Sequence, residues 1–196
     1  MDTYLENIGL DLSDSLQAAP ALLGYILTYE TPEVLTSGYI VETEAYQTND
    51  PASHGFLGRT KRNDSVFKKY GTVYVYLTYG MHFCVNIVTG PEDQGQAVLI
   101  RAIEPIKGID LMASRRKQHK ITSLTNGPAK LTQAMAINRS IDGTNILDGP
   151  LRLEVGVKPK AIIAGPRIGI TKAKDNPWRF YIEDSPFVSR APVEKI

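Results

Sequence analysis

At 196 residues with 42% hydrophobic content, the chain is long enough to bury one sizeable core and has the composition of an ordinary soluble globule. Its longest apolar run, residues 18–27, is broken by Pro20 and Gly24 and falls short of the roughly 20 residues that span a bilayer. The net charge of +1 conceals an asymmetry: residues 1–50 hold nine Asp or Glu and no Lys or Arg, so the rest of the chain carries a balance of +10.

The opening MDTYLENIGLDLSD is acidic where a targeting peptide would be basic, and the single cysteine, Cys84, excludes an internal disulfide and a cysteine-cluster zinc site. The expectation is a cytoplasmic protein, nucleoid-associated if its source is prokaryotic, with no structural metal.

In chain order, the acidic opening predicts one or two helices, with Leu12-Ser13-Asp14 capping a run toward Leu23 and Gly24 ending a turn. GYIVETEAY, residues 38–46, alternates as a strand does, placing Ile40, Glu42, Glu44 and Tyr46 on one face and Val41, Thr43 and Ala45 on the other. A basic cluster, RTKRNDSVFKK (59–69), then precedes a β-like stretch from Thr72 to Thr89 in which Thr78-Tyr79-Gly80 is the turn of a hairpin. AVLIRAIEP (97–105) reads as a buried strand running into a helix, with Pro105 near its first turn. A second basic cluster, RRKQHK (115–120), suits a solvated surface as well as it suits a binding role. Gly127-Pro128 opens the helix AKLTQAMAI, and residues 151–189 read as short strands separated by Pro and Gly. Together these predict one α+β domain over residues 1–196, a largely antiparallel curved sheet with peripheral helices and a protruding hairpin.

Two features carry chemistry. Tyr74 and Tyr76 share a strand face, where a tyrosine is ordinarily core with its hydroxyl satisfied, whereas Tyr79 falls at the hairpin tip. An exposed aromatic beside a basic cluster suits insertion into a nucleic-acid stack. Glu42 and Glu44, about 6.5–7 Å apart at Cα from the rise of a strand, are open to three readings: a solvated face, the acid and base of an inverting glycoside hydrolase, or a metal site completed by Asp50 and His54. A lesion-binding module without catalysis would keep Tyr79 and the basic cluster and would not need Glu44 with Arg101.

Six collinear segments resemble the alkyladenine DNA glycosylase family, also called 3-methyladenine DNA glycosylases: IVETEAY (40–46), SHGFLGRTKRN (53–63), GTVYVYLTYGMHFCVNI (71–87), AVLIRAIEP (97–105), NGPAKL (126–131) and WRFYIEDSPFVS (178–189). The resemblance implies a base-excision repair enzyme that flips alkylated or deaminated purines out of duplex DNA: 3-methyladenine, 7-methylguanine, ethenoadenine or hypoxanthine. It would hydrolyse the N-glycosidic bond without a lyase step and leave an abasic site. By the same resemblance the hairpin enters the minor groove with Tyr79 as the wedge; Tyr46, His54 and Tyr76 contact the flipped base; and Asn86 obstructs the exocyclic amine of normal guanine.

Glu44 matches the family's general base, Arg101 the arginine that helps hold the attacking water, and Glu42 has a supporting place. Arg59, Lys61, Arg62, Lys68 and Lys69 are the candidates for phosphate contacts. The resemblance calls for no metal or organic cofactor and implies a monomer acting on double-stranded DNA. His82 and residues 171–178 depart from the family pattern.

Overall fold

Asp14 does begin a helix. In the computed structural model, which describes residues 3–189, α1 (Thr3–Asn7) is followed by α2 (Ser15–Ala21), and the Asp14 carboxylate accepts from the Leu16 and Gln17 N–H groups at 2.8 and 3.2 Å. That satisfies donors which a helix start otherwise leaves without partners. Strands β1 (Ile26–Thr31) and β2 (Val34–Tyr46) come next, then the hairpin β3 (Val73–Thr78) and β4 (His82–Thr89), and the long β5 (Gln96–Lys107). Helices α3 (Ile109–Arg116) and α4 (Pro128–Met135) precede three short strands, β6 (Leu151–Glu154), β7 (Ile162–Gly165) and β8 (Arg179–Ile182). Gly127 stands before α4 with Pro128 in its first turn, as the sequence predicts.

Every strand pair is antiparallel, in the order β3-β4-β5-β2-β1-β6, with β8 bridging β7 and β2. Thus β2 runs beside β5 along one edge, while its other edge is shared between β1 in the first half and β8 in the second. Splitting that edge curls the sheet into a half-barrel within a single α+β domain. One large cluster, including Leu27, Ile40, Val75, Val85, Ile100 and Met135, fills the inside. Burying each such side chain contributes about 1.5–3 kcal/mol, which outweighs the cost of the irregularities in β2 and β5.

Strict alternation on β2 fails at one point. The register skips from Ile40 opposite Ile103 to Glu42 opposite Ala102, and then to Thr43 opposite Ile100, leaving Val41 on β2 and Arg101 on β5 without direct partners. An unpaired residue in a strand reverses the phase of everything beyond it. Ile40 therefore joins the main core with Ala45, on the side opposite Glu44, while Val41 packs with Ala102 and Phe187 in a satellite cluster. The sequence places Ile40 on the Glu face; the bulge moves it away and aims Glu42, Glu44 and Arg101 at one another.

Pro105 also differs from expectation. It lies within β5, opposite Gly38, and α3 begins only at Ile109. The register shift between Ser37 and Gly38 accommodates a residue with no N–H to donate. A side chain at Gly38 would put its Cβ 2.5 Å from Glu104 O, so this crossing requires glycine. In the second basic cluster, Arg115 donates to Ala134 O at 3.0 Å and Arg116 to Leu124 O at 3.1 Å, which ties α3 to α4 and to the segment between them.

Candidate active site

The bulges gather five charged side chains, from β2, β5, β8 and the loop before β8, around the second half of β2. Glu44 has no exposed surface. Its Oε1 forms an ion pair with Arg101 Nη1 at 3.1 Å and accepts from the Ile168 N–H at 2.7 Å; its Oε2 accepts from the Tyr46 hydroxyl at 2.8 Å.

Glu42 is equally buried but fully engaged. It accepts from Arg101 Nε at 3.0 Å, Arg179 Nε at 2.6 Å, the Ser189 N–H at 2.6 Å and Ser189 Oγ at 2.7 Å. Three of these donors converge on Oε1 and the Ser189 N–H takes Oε2, so both oxygens are held by the protein's own groups. With Arg101 paired to both, the two glutamates do not flank a space for a glycosidic bond and a water, as the acid and base of a glycan hydrolase would. Arg101 bridges them. Burial works against its charge, yet the carboxylates of Glu44 and Glu42 more than offset this and hold the guanidinium above its ordinary pKa.

Above this floor opens a cavity of about 520 Å³. Arg101, Leu99, Tyr46, His54, Tyr76 and the loop of residues 168–172 line it. Its size falls within the range of roughly 300–1,000 Å³ typical of small-molecule sites. His54 and Tyr76 pack edge to face with centroids 4.3 Å apart, and His54 Nδ1 lies 2.9 Å from the Tyr74 hydroxyl. Burial of its packed side, with the Arg62 charge nearby, lowers the His54 pKa, so the imidazole is neutral at neutral pH. Burial, together with the Glu44 charge, raises the Tyr46 pKa well above the usual phenol range, which keeps its hydroxyl a donor. Asn86 does not border the main cavity. It donates to Tyr74 O at 3.0 Å and lines a small adjoining space of about 30 Å³ shared with Tyr46, His54 and Tyr76.

Tyr79 stands at the rim, at the tip of the β3–β4 hairpin, 85% exposed and at φ +49°. Gly80 follows at φ +70°, and the Met81 N–H reaches back to Thr78 O at 3.3 Å. Left-handed backbone costs a residue with a side chain about 1–2 kcal/mol, and an aromatic so exposed recovers little of that by packing. His82, beside it, is exposed and also lines the cavity.

The five basic candidates separate. Arg59 is held by Asp93 at 2.7 Å, by Asp64 at 3.4 Å and by Phe67 O at 3.1 Å, and its guanidinium lies over the Phe67 ring. Arg62 donates to Leu77 O at 3.1 Å and so ties its loop to the hairpin. Lys61 and Lys69 are exposed, and Lys68 is half-buried near Gly143.

Sequence reasoning misses Arg167, Arg179, Ser189 and the Ile168 N–H, whose roles depend on contacts far along the chain. Asp50, weighed as a metal ligand with His54, instead pairs with Arg167. Among the described residues, no group of three His, Cys, Asp or Glu side chains converges as a metal site would require. No helix among them is long and apolar enough to cross a membrane.

Comparison with known proteins shows the family. Residues 11–186 match the pattern of the methylpurine-DNA glycosylase family. A protein of Methanoculleus marisnigri is 48% identical over 182 residues, and one of Francisella tularensis 47% over 181; each alignment covers 90% of this chain and 94% of the relative. A protein of Agrobacterium fabrum is 48% identical over 177 residues, covering 90% of this chain and 88% of its own. All three are named, provisionally, as 3-methyladenine DNA glycosylases. The chain belongs to the methylpurine-DNA glycosylase family, and with it to the repair enzymes that bind damaged DNA and hydrolyse the N-glycosyl bonds of alkylated purines.

Proposed function

We propose that the protein removes 3-methyladenine from duplex DNA in base-excision repair with a water activated by Glu44, and that 7-methylguanine, ethenoadenine and hypoxanthine share the same pocket. The observation that carries this reading is the uneven donor set on Glu44. Oε1 accepts the Ile168 N–H and also carries the ion pair with Arg101, whereas Oε2 is engaged only by the hydrogen bond from Tyr46. The remaining lone pair on Oε2 is the one available to take a proton.

Alkylation at N3 or N7 makes the purine cationic and its glycosidic bond weaker. As that bond breaks, its electron pair leaves with the base and the sugar approaches an oxocarbenium ion; the cationic 3-methyladenine and 7-methylguanine depart neutral, whereas ethenoadenine and hypoxanthine depart neutral only by taking up a proton from solvent on the purine ring. The anionic Glu44 stabilises this charge while its Oε2 takes a proton from the water whose oxygen bonds to C1′. Glu44 has no exposed surface, so loading the site involves a small shift of the Tyr46 hydroxyl away from Oε2. Arg101 holds Glu44 in place and helps to hold the water. Glu42 balances Arg101 from the other side without touching the reaction.

The flipped base stacks against Tyr46 on one side and against His54 and Tyr76 on the other, at about 1–3 kcal/mol per stack with little dependence on base identity. That accounts for a broad substrate range. Asn86 narrows it by crowding the exocyclic amine of guanine. Tyr79 enters the minor groove and fills the space the nucleotide leaves. The left-handed backbone that holds this exposed ring at the tip supports such a role. Lys61 and Lys69 contact phosphates, whereas Arg59 and Arg62 serve the loop that carries His54. Lys130, the lysine of the NGPAKL segment, donates to Asn126 Oδ1 at 2.8 Å, and Lys172 lines the cavity; in this reading neither forms a Schiff base, and the product is an intact strand with an abasic site. The enzyme acts as a monomer.

The test is base release from duplexes carrying 3-methyladenine or hypoxanthine, with wild type and Glu44→Gln in parallel. Wild type releases the base, and the variant is slower by about 10²–10⁴-fold, the worth of a positioned general base. A variant as fast as wild type would remove Glu44 from the chemical step.

A further inference from the structure

Behind the cavity wall, Arg167 and Asp50 form an ion pair in which neither side chain has exposed surface. Arg167 Nη2 donates to Asp50 Oδ1 at 3.0 Å, and Nη1 donates both to Asp50 Oδ2 and to Ala45 O, the latter at 3.0 Å. The guanidinium lies over two rings, 4.6 Å from the centroid of Tyr46 and 5.0 Å from that of Trp178. Asp50 Oδ1 is held in turn by the Ala52 N–H at 3.0 Å. A buried pair is weak evidence of a purely stabilising role, because apolar groups of similar volume often do as well. What distinguishes this one is its neighbours.

Ala45, whose carbonyl Arg167 holds, is the residue between Glu44 and Tyr46. Ile168, the residue after Arg167, supplies the N–H that reaches Glu44 Oε1 at 2.7 Å. Tyr46, whose ring the guanidinium covers, donates its hydroxyl to Glu44 Oε2. One side chain therefore fixes the backbone beside Glu44, a donor to one of its oxygens and the ring that supplies the donor to the other.

We infer that Arg167, anchored by Asp50, is a positioning residue for the reaction: it sets the Glu44 carboxylate and the stacking face of Tyr46 without itself touching the base. The inference rests on the reading of Glu44 as the base. Lysine cannot fully replace arginine here: its ammonium can pair with Asp50 and reach Ala45 O, but it lacks the second nitrogen that bonds Asp50 Oδ1 and the planar guanidinium that lies over the Tyr46 and Trp178 rings. Small misplacements of catalytic groups cost large factors in rate, so the effect appears in the chemical step and not in DNA binding.

Single-turnover base release at saturating enzyme, and affinity for duplex bearing an abasic-site analogue, are measured for four proteins: wild type, Arg167→Lys, Glu44→Gln, and wild-type sequence with a backbone ester replacing the Ile168 amide. The ester removes the Ile168 N–H, weakens the Arg167 carbonyl as an acceptor and leaves the ion pair intact, so if Arg167→Lys does not fold it still tests whether the donor that Arg167 is inferred to set matters to the chemical step. Arg167→Lys and the ester are each expected to lose about tenfold or more in rate with affinity unchanged. Wild-type rates in both, alongside an inactive Glu44→Gln, would overturn the positioning role and leave the Glu44 reading standing. A fully active Glu44→Gln would overturn that reading itself. Weakened affinity at unchanged rate in Arg167→Lys would instead make Arg167 part of the DNA-binding framework and contradict the inference.

Discussion

The floor beneath the cavity and the tip of the β3–β4 hairpin lie at opposite extremes of constraint. Glu42, Glu44 and Arg101 are buried and hold one another through ion pairs of 3.1 Å or less, supplemented by hydrogen bonds from Arg179, Ser189 and the Ile168 N–H. Tyr79 is 85% exposed, sits in a backbone conformation that its side chain disfavours, and is fixed by a turn hydrogen bond at 3.3 Å. Each suits the task proposed for it. A carboxylate that stabilises developing charge gains from fixed donors in a dry site, whereas a wedge has to project into a partner that is absent in the free protein. On the proposed function the contrast separates what accelerates the reaction from what holds the lesion, and substitutions can break it from either side.

Arg101→Met carries the largest expected effect on the fold. It leaves Glu42 and Glu44 buried without the cation between them, and losing one partner of a buried charge group costs about 3–5 kcal/mol. Urea unfolding of wild type and variant measures it; a loss below about 1 kcal/mol, the worth of an exposed pair, would show the floor to be looser than its geometry indicates.

Tyr79→Gly is expected to act in the opposite way. Relief of the left-handed strain stabilises the free protein by about 1–2 kcal/mol. Loss of the stacking ring weakens binding to lesion-bearing duplex by about 1–3 kcal/mol. Calorimetric melting and a binding titration check the two signs, and a destabilised free protein would mean that Tyr79 packs in a way its exposure does not suggest.

The smallest effect concerns pH. The folded-state pKa of His54 is lowered, by burial first and then by Arg62, so the unfolded chain binds the proton more readily. Stability from this residue is complete above the unfolded value of about 6.5 and is lost as pH falls through the lower folded value. His54→Gln should flatten that part of the stability profile between pH 7 and pH 5; an unchanged slope would assign the dependence to other groups.

Much of this site is legible in the residues. The hairpin turn at Tyr79-Gly80, the strand carrying Glu44 and Tyr46, and the helix opened by Pro128 all arise from local pattern, which is where local rules apply. The collinear segments then link Glu44 to Arg101 across 57 residues of chain. What stays hidden is long-range or phase-breaking. A period-2 reading of GYIVETEAY cannot reveal that Val41 and Arg101 are left unpaired, so it places Ile40 on the wrong face. Pro105 reads as a helix start because a strand proline is tolerated only where the register slips, and the slip depends on Gly38, far back on another strand. Arg167 sits in a segment rich in Gly and Pro, with nothing nearby to announce that Asp50, Tyr46 and Trp178 converge on it.

The division of labour itself is tested most directly by measuring single-turnover base release and lesion-DNA affinity side by side for Glu44→Gln and Tyr79→Ala. The account predicts opposite signatures: Glu44→Gln binds as wild type does and scarcely releases the base, whereas Tyr79→Ala binds more weakly and still releases the base once enough enzyme is supplied to saturate the DNA. If Glu44→Gln lost affinity while keeping its rate, or if Tyr79→Ala stayed inactive at saturation, the separation between a chemical floor and a holding tip would be wrong.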